Sequence, residues 1–168
     1  MILGIDPGLA NVGWAVIERC EGEMEAKLVD CGCFETKPTP TALRSGGQAG
    51  RLCFIDEKVG ELIDKFKIRE MAVESLFFAR NAKSAIKVAE AIGVIKVAGA
   101  RRGLLVFDYT PLQIKMTLVG YGQAEKEQVA IMVKHFLGLE ENIKPEHASD
   151  AAAAALTHLF TNQELVTE

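Results

Sequence analysis

Met1-Ile2-Leu3-Gly4-Ile5-Asp6-Pro7-Gly8 opens the chain: an apolar run that ends on a carboxylate and then turns. The run reads as a strand, and Asp-Pro-Gly is ordinary turn chemistry. Working outward, residues 11–18 and 26–36 carry the same enrichment in Ile, Val and aromatics, separated by Glu21-Gly22-Glu23. Three such strands in succession form an antiparallel meander. Past residue 50 the pattern changes. Leu52, Ile55, Val59, Leu62, Ile63 and Phe66 recur at helical spacing. Strand and helix then alternate: strand 70–74, helix 81–100, strand 104–109, a short helix after Pro111 with Thr110 as its N-cap, helix 125–136 and helix 147–161. A meander followed by alternation predicts an α/β fold, a mixed sheet with helices on both faces.

A chain of 168 residues suits a single domain, 1–168, with a well-buried core. Residues 37–50, with prolines, threonines and Gly46-Gly47, read as an exposed loop, and 162–168 as a tail. No apolar run reaches spanning length and no basic-then-apolar leader opens the chain, so the expected location is the cytoplasm, with no membrane partner. The spacing of Cys20, Cys31, Cys33 and Cys53 fits neither a disulfide framework nor a zinc site, and the expectation is buried, reduced thiols. A net charge of −4 argues on its face against a nucleic-acid ligand, but the charge is polarised. Residues 80–102 carry Arg80, Lys83, Lys87, Lys96, Arg101 and Arg102 against Glu90 alone.

Asp6 and Glu74 each end an apolar strand, and His147 and Asp150 are three apart at the head of an alanine-rich helix, so they share a face. Carboxylates at the ends of buried strands need a neutralising cation, and a divalent metal supplies one. Each residue alone has a plainer reading: Asp6 as a turn residue, Glu74 as a strand end in water, His147 on the surface, Asp150 complementing a helix dipole. Four coincidences together are a weaker account than one site. His158 is expected to be structural and His135 a surface residue. Gly120-Tyr121-Gly122 lacks the third glycine of a dinucleotide fingerprint.

At these positions the sequence resembles a known family. Ile2-Leu3-Gly4-Ile5-Asp6-Pro7-Gly8, Val73-Glu74-Ser75-Leu76-Phe77-Phe78-Ala79-Arg80-Asn81, Gln113-Ile114-Lys115, Gly120-Tyr121-Gly122-Gln123-Ala124-Glu125-Lys126 and His147-Ala148-Ser149-Asp150-Ala151-Ala152 are similar, in order, to motifs of the RuvC family of Holliday junction resolvases. The resemblance implies a ribonuclease H-like fold with a five-stranded mixed sheet. It implies a homodimer that cuts four-way DNA junctions in recombination and repair, with Mg²⁺ or Mn²⁺, two ions per site. It also suggests the branch-migration complex as a partner. Asp6, Glu74 and Asp150 match family carboxylates, and His147 stands where many members have a fourth aspartate and some have histidine. Phe77 matches a residue expected to stack or wedge at the cut. Lys115 and Lys126 match lysines near the scissile phosphate, and Arg80, Lys83 and Lys87 would extend the phosphate contacts, their plainer reading being a solvated helix face. The implied reaction is in-line hydrolysis of a phosphodiester by water, with no covalent protein intermediate.

Helix 81–100 is apolar on two sides, with Ile86, Gly93 and Val97 on one stripe and Val88, Ile92 and Ile95 on another, which favours a dimer contact. Two other function classes stay open from sequence. Asp6-Pro7-Gly8 with Gly13 is similar to the phosphate loop of sugar kinases and actin-like ATPases, but those clamp nucleotide between two lobes. A junction-binding protein without catalysis, or a nuclease for RNA–DNA hybrids, would also use this fold.

Overall fold

Alternation along the first strand sets the architecture. In β1 (Ile2–Asp6), Leu3 and Ile5 pack into one core, while Ile2 enters a second core on the opposite face and Gly4 lies against a helix there. The computed structural model describes residues 1–20, 26–36, 47–75 and 82–162, with the side chains of 82–84 outside it. Phe77, Arg80 and the side chain of Lys83 therefore lie outside the described residues, as do 37–46 of the expected loop and 163–168 of the tail. Residues 48–50, expected in that loop, instead open the first helix.

β1 pairs antiparallel with β2 (Asn11–Arg19), and β2 antiparallel with β3 (Ala26–Glu35), which is the expected meander. On its other side β1 pairs parallel with β4 (Glu70–Glu74), and β4 parallel with β5 (Leu105–Tyr109). The result is a five-stranded mixed sheet in the order β3-β2-β1-β4-β5, with β1 at its centre. Two helices, α1 (Gln48–Phe66) and α2 (Ala82–Ala100), cover one face through Ile55, Val59, Ile63, Ile92 and Ile95. The other face carries α3 (Pro111–Val119), α4 (Lys126–Phe136) and α5 (Glu146–Thr161), which pack through Ile114, Leu118, Val129, Val133 and Leu156. Thr110 caps α3 as expected: its hydroxyl accepts from the Gln113 amide at 3.2 Å, and Gln113 Oε1 accepts from the Thr110 amide at 2.8 Å.

α5 is buried along most of its length, from Ala151 to Leu159 without a break. Its alanines pack with Gly4, Ala15 and Ala72 on the sheet, and His147 at its start lies over Gly13, so the backbones approach closely. A methyl group built on Gly4 would lie 2.0 Å from the Ala151 carbonyl oxygen, and one on Gly13 would lie 2.0 Å from that of His147. Farther along α5, His158 is buried as expected of a structural residue. Its Nε2 lies 3.1 Å from Glu70 and its Nδ1 2.8 Å from the Tyr109 hydroxyl. Burial holds its pKa below the ordinary histidine value, against the opposing pull of Glu70. His135 is exposed, also as expected. The four thiols are free, but the expectation that they are buried is corrected: Cys20, Cys31 and Cys33 are half-buried and Cys53 is exposed.

Because no side chain on α5 can retreat to admit a methyl against backbone, Gly4→Ala should destabilise the fold by about 3 kcal/mol, lowering Tm by roughly 10 °C. A thermal melt within about 2 °C of wild type would show that α5 can lift from the sheet at little cost.

Candidate active site

β1 and β4 run parallel with Ile5 opposite Val73, which sets Asp6 and Glu74 side by side at the C-terminal ends of these two interior strands. Both follow their strand's alternation onto the α5 face. The start of α5 supplies His147 and Asp150, α3 supplies Lys115, and the first position of α4 supplies Lys126. All six line one cleft of about 340 Å³, with Pro111, Ile114, Val129 and Ala153 as its apolar walls. Four of the sequence-derived site residues and two of the six expected DNA contacts therefore meet. Lys87 is exposed on α2 and does not line this cleft.

The acids repel one another where they are shielded from water. Burial is the first cause raising the Asp6 pKa above its ordinary value, with the Asp150 charge adding to it and the hydrogen bond from His147 opposing. Glu74 is pushed from its usual 4.5 to about 7, first by burial and then by Asp6 and Asp150. His147 Nδ1 lies 2.6 Å from Asp6 Oδ2. Lys126 Nζ lies 3.1 Å from Asp150 Oδ2 and 2.7 Å from Glu146 Oε1. The Lys126 pKa is raised, chiefly by the bond to Glu146, and Glu146 is lowered by the same contact. Glu146 stands just outside the motif that begins at His147. Its signal in the sequence is the four-residue spacing to Asp150 at a helix start, which stacks the two acids on one face.

Among the described residues, no three His, Cys, Asp or Glu side chains form a ready-made ligand set. Asp6 is instead engaged by His147, and Asp150 by Lys126. The donor chemistry still fits a divalent cation: three carboxylates and an imidazole border one cleft, and two of the carboxylates are held above their ordinary pKa by burial and mutual repulsion.

The family model for "Crossover junction endodeoxyribonuclease RuvC" matches residues 2–158. This chain belongs to the RuvC family. The RuvC of Halothermothrix orenii is 44% identical over 158 residues, covering 94% of this chain and 91% of that protein. The structure of Thermus thermophilus RuvC is 38% identical and superposes with a TM-score of 0.82, covering 95% of this chain and 93% of that one. The T. thermophilus RuvC structure in complex with Holliday junction substrate gives a TM-score of 0.84 at 38% identity, with the same coverage. The sheet and its two helical layers are thus the ribonuclease H-like resolvase fold that the motifs implied. RuvC nucleases are metal-dependent, which agrees with the donor chemistry of the cleft.

Glu74 makes the strain in this RuvC cleft measurable. Its raised folded-state pKa means that the folded protein binds a proton more readily than the unfolded chain. The stabilisation is fully present below about 4.5 and is lost as pH rises through about 7. At pH 8 with a chelator present, Glu74→Gln should therefore be more stable than wild type, by on the order of 2–3 kcal/mol. The gap should close near pH 4.5. Denaturant titrations at the two pH values check this, and an equal or lower stability at pH 8 would show that the carboxylate is not strained.

Proposed function

We propose that Asp6, Glu74, His147 and Asp150 form the catalytic and metal-binding centre of this RuvC-family crossover junction endodeoxyribonuclease. In this reading Lys115 and Lys126 hold the scissile phosphate of a four-way DNA junction. The observation that carries the proposal is the convergence of four acid or imidazole groups and two lysines, drawn from five separate elements, on one cleft.

The chain's own groups divide the work. Asp6, Glu74 and Asp150 would hold Mg²⁺ or Mn²⁺, two ions per site, and a bound ion supplies Lewis-acid stabilisation of the phosphate and promotes ionisation of water. The ammonium groups of Lys115 and Lys126 neutralise the phosphate, which otherwise faces three carboxylates. With Nδ1 of His147 engaged by Asp6, Nε2 is the ring nitrogen that can ligate an ion or pass a proton. Phe77, Arg80, Lys83 and Lys87 are proposed as further junction contacts on sequence grounds, with Phe77 stacking at the cut.

We also propose a homodimer. On α2, Ile86 is 61% exposed and Val97 51% exposed, and a groove between α1 and α2 is lined by Leu52, Val94 and Val97. A two-fold symmetric pair supplies the two cleavage sites that paired cuts require. No described helix is long and apolar enough to cross a membrane, and work on DNA in the cytoplasm fits the reading. Association with a branch-migration complex is the remaining family expectation.

The test compares four-way junction, linear duplex and RNA–DNA hybrid in one assay. Wild-type protein, at twice the chain mass by light scattering, should cut the junction in preference to the others. Asp6→Asn should lower the cleavage rate roughly 10³-fold with junction affinity little changed, because it removes metal-binding charge and leaves the DNA contacts. Preference for the hybrid would replace the resolvase reading, and substantial residual cleavage by Asp6→Asn would remove Asp6 from the centre.

A second measurement addresses His147. Imidazole is a softer donor than carboxylate and suits Mn²⁺ better than Mg²⁺. The ratio of Mn²⁺-supported to Mg²⁺-supported cleavage should therefore fall in His147→Asp. Superimposable metal titrations for the two proteins would show that His147 is not a ligand.

A further inference from the structure

Lys126 is the first residue of α4, and two carboxylates of α5 share its ammonium. Glu146 and Asp150 lie four residues apart on one face of that helix, so the lysine spans an outer acid and an inner one. The outer acid, Glu146, is 69% exposed at the rim, whereas Asp150 is 22% exposed in the cleft. The contact to the rim is the shorter, 2.7 Å against 3.1 Å. The backbone at this point is fixed by the α4 cap, where the Glu125 amide donates to Gln128 Oε1 at 2.8 Å, so the freedom in this arrangement belongs to the lysine side chain.

We propose that Glu146 is a positioning residue for Lys126: a rim carboxylate onto which the ammonium withdraws when a divalent cation engages Asp150, and from which it reaches the phosphate. This rests on the assignment of Asp150 as a metal ligand. An ammonium and a metal ion compete for the same carboxylate oxygens, because two cations cannot both approach Asp150 closely without repulsion. A lysine paired with Asp150 alone would have to give up that pairing whenever metal bound. With Glu146 beside it, one charge-assisted hydrogen bond survives the exchange, and the lysine stays at the mouth of the cleft instead of swinging into solvent. Glu146 itself touches neither the cleft floor nor its walls; it acts through Lys126.

Calorimetric titration of Mn²⁺ into the DNA-free protein tests this without reference to turnover. Glu146 is exposed, so Glu146→Gln does not threaten folding. That variant should bind Mn²⁺ about three-fold more weakly, because Lys126 then rests on Asp150 alone. Lys126→Met should bind Mn²⁺ more tightly than wild type, having lost the competing cation. In the Lys126→Met background, Glu146→Gln should have no further effect. At saturating metal, Glu146→Gln should slow single-turnover cleavage with junction affinity unchanged, and Glu146→Asp should restore part of the rate. Equal weakening by Glu146→Gln in both backgrounds would mean that Glu146 acts on the metal by its own charge, and no effect in either would leave a surface ion pair only; both overturn the proposal. Asp150→Asn separates the two levels: if that variant keeps wild-type Mn²⁺ affinity, the metal-site assignment fails first.

Discussion

The closeness of α5 to the sheet is the constraint on which the rest depends. Two glycines on adjacent strands, Gly4 and Gly13, leave no side chain between sheet and helix, and the helix answers with an unbroken run of alanines. Only at that distance can side chains as short as aspartate, one from a strand end and one from the helix, border the same cleft. The packing is therefore a requirement of the chemistry as much as of stability. Its dispersion and burial stabilise the elements that force like charges together.

That enforced proximity works against folding. Asp6 and Glu74 both sit above their ordinary pKa because burial and neighbouring acids disfavour their charged forms. The protein offsets part of the repulsion locally: His147 lies against Asp6, and Lys126 bridges Asp150 and Glu146. Asp6 and Asp150 are thus engaged by neighbouring groups, and no described trio is arranged as a finished ligand set. In the proposed reading, such a centre exchanges internal partners for an external cation. The strain thus lies in the cleft to which the proposed function assigns the chemistry.

Much of this was readable from the chain. Two apolar runs that each end on a carboxylate, Ile2–Asp6 and Met71–Glu74, carry the information that both acids stand at strand tips, and the three-residue step from His147 to Asp150 carries the helix face. That both acids face the same side comes from the β1–β4 register, which no single run encodes. Most element boundaries came within one or two residues because turn and cap chemistry, such as Thr110-Pro111, is local. The start of α1 did not, since Gln48 has no side-chain cap before it to mark the helix. Other features were not legible. The clash distances at Gly4 and Gly13 depend on how closely two remote segments pack, which no single-segment pattern encodes. The partners of His158, Glu70 and Tyr109, come from two other strands. Glu146 escaped notice because a surface acid at a helix start is common, and only Lys126 from another helix gives it meaning.

The strict alternation of Leu3 and Ile5 with Gly4 and Asp6 also limits what this gene can tolerate. Inserting or deleting one codon within these five positions would turn the carboxylate toward the α1–α2 side and present leucine or isoleucine where α5 admits only glycine. Two unrelated failures, one chemical and one steric, would follow from a single slip. Length variation in this lineage should therefore be excluded from the first strand.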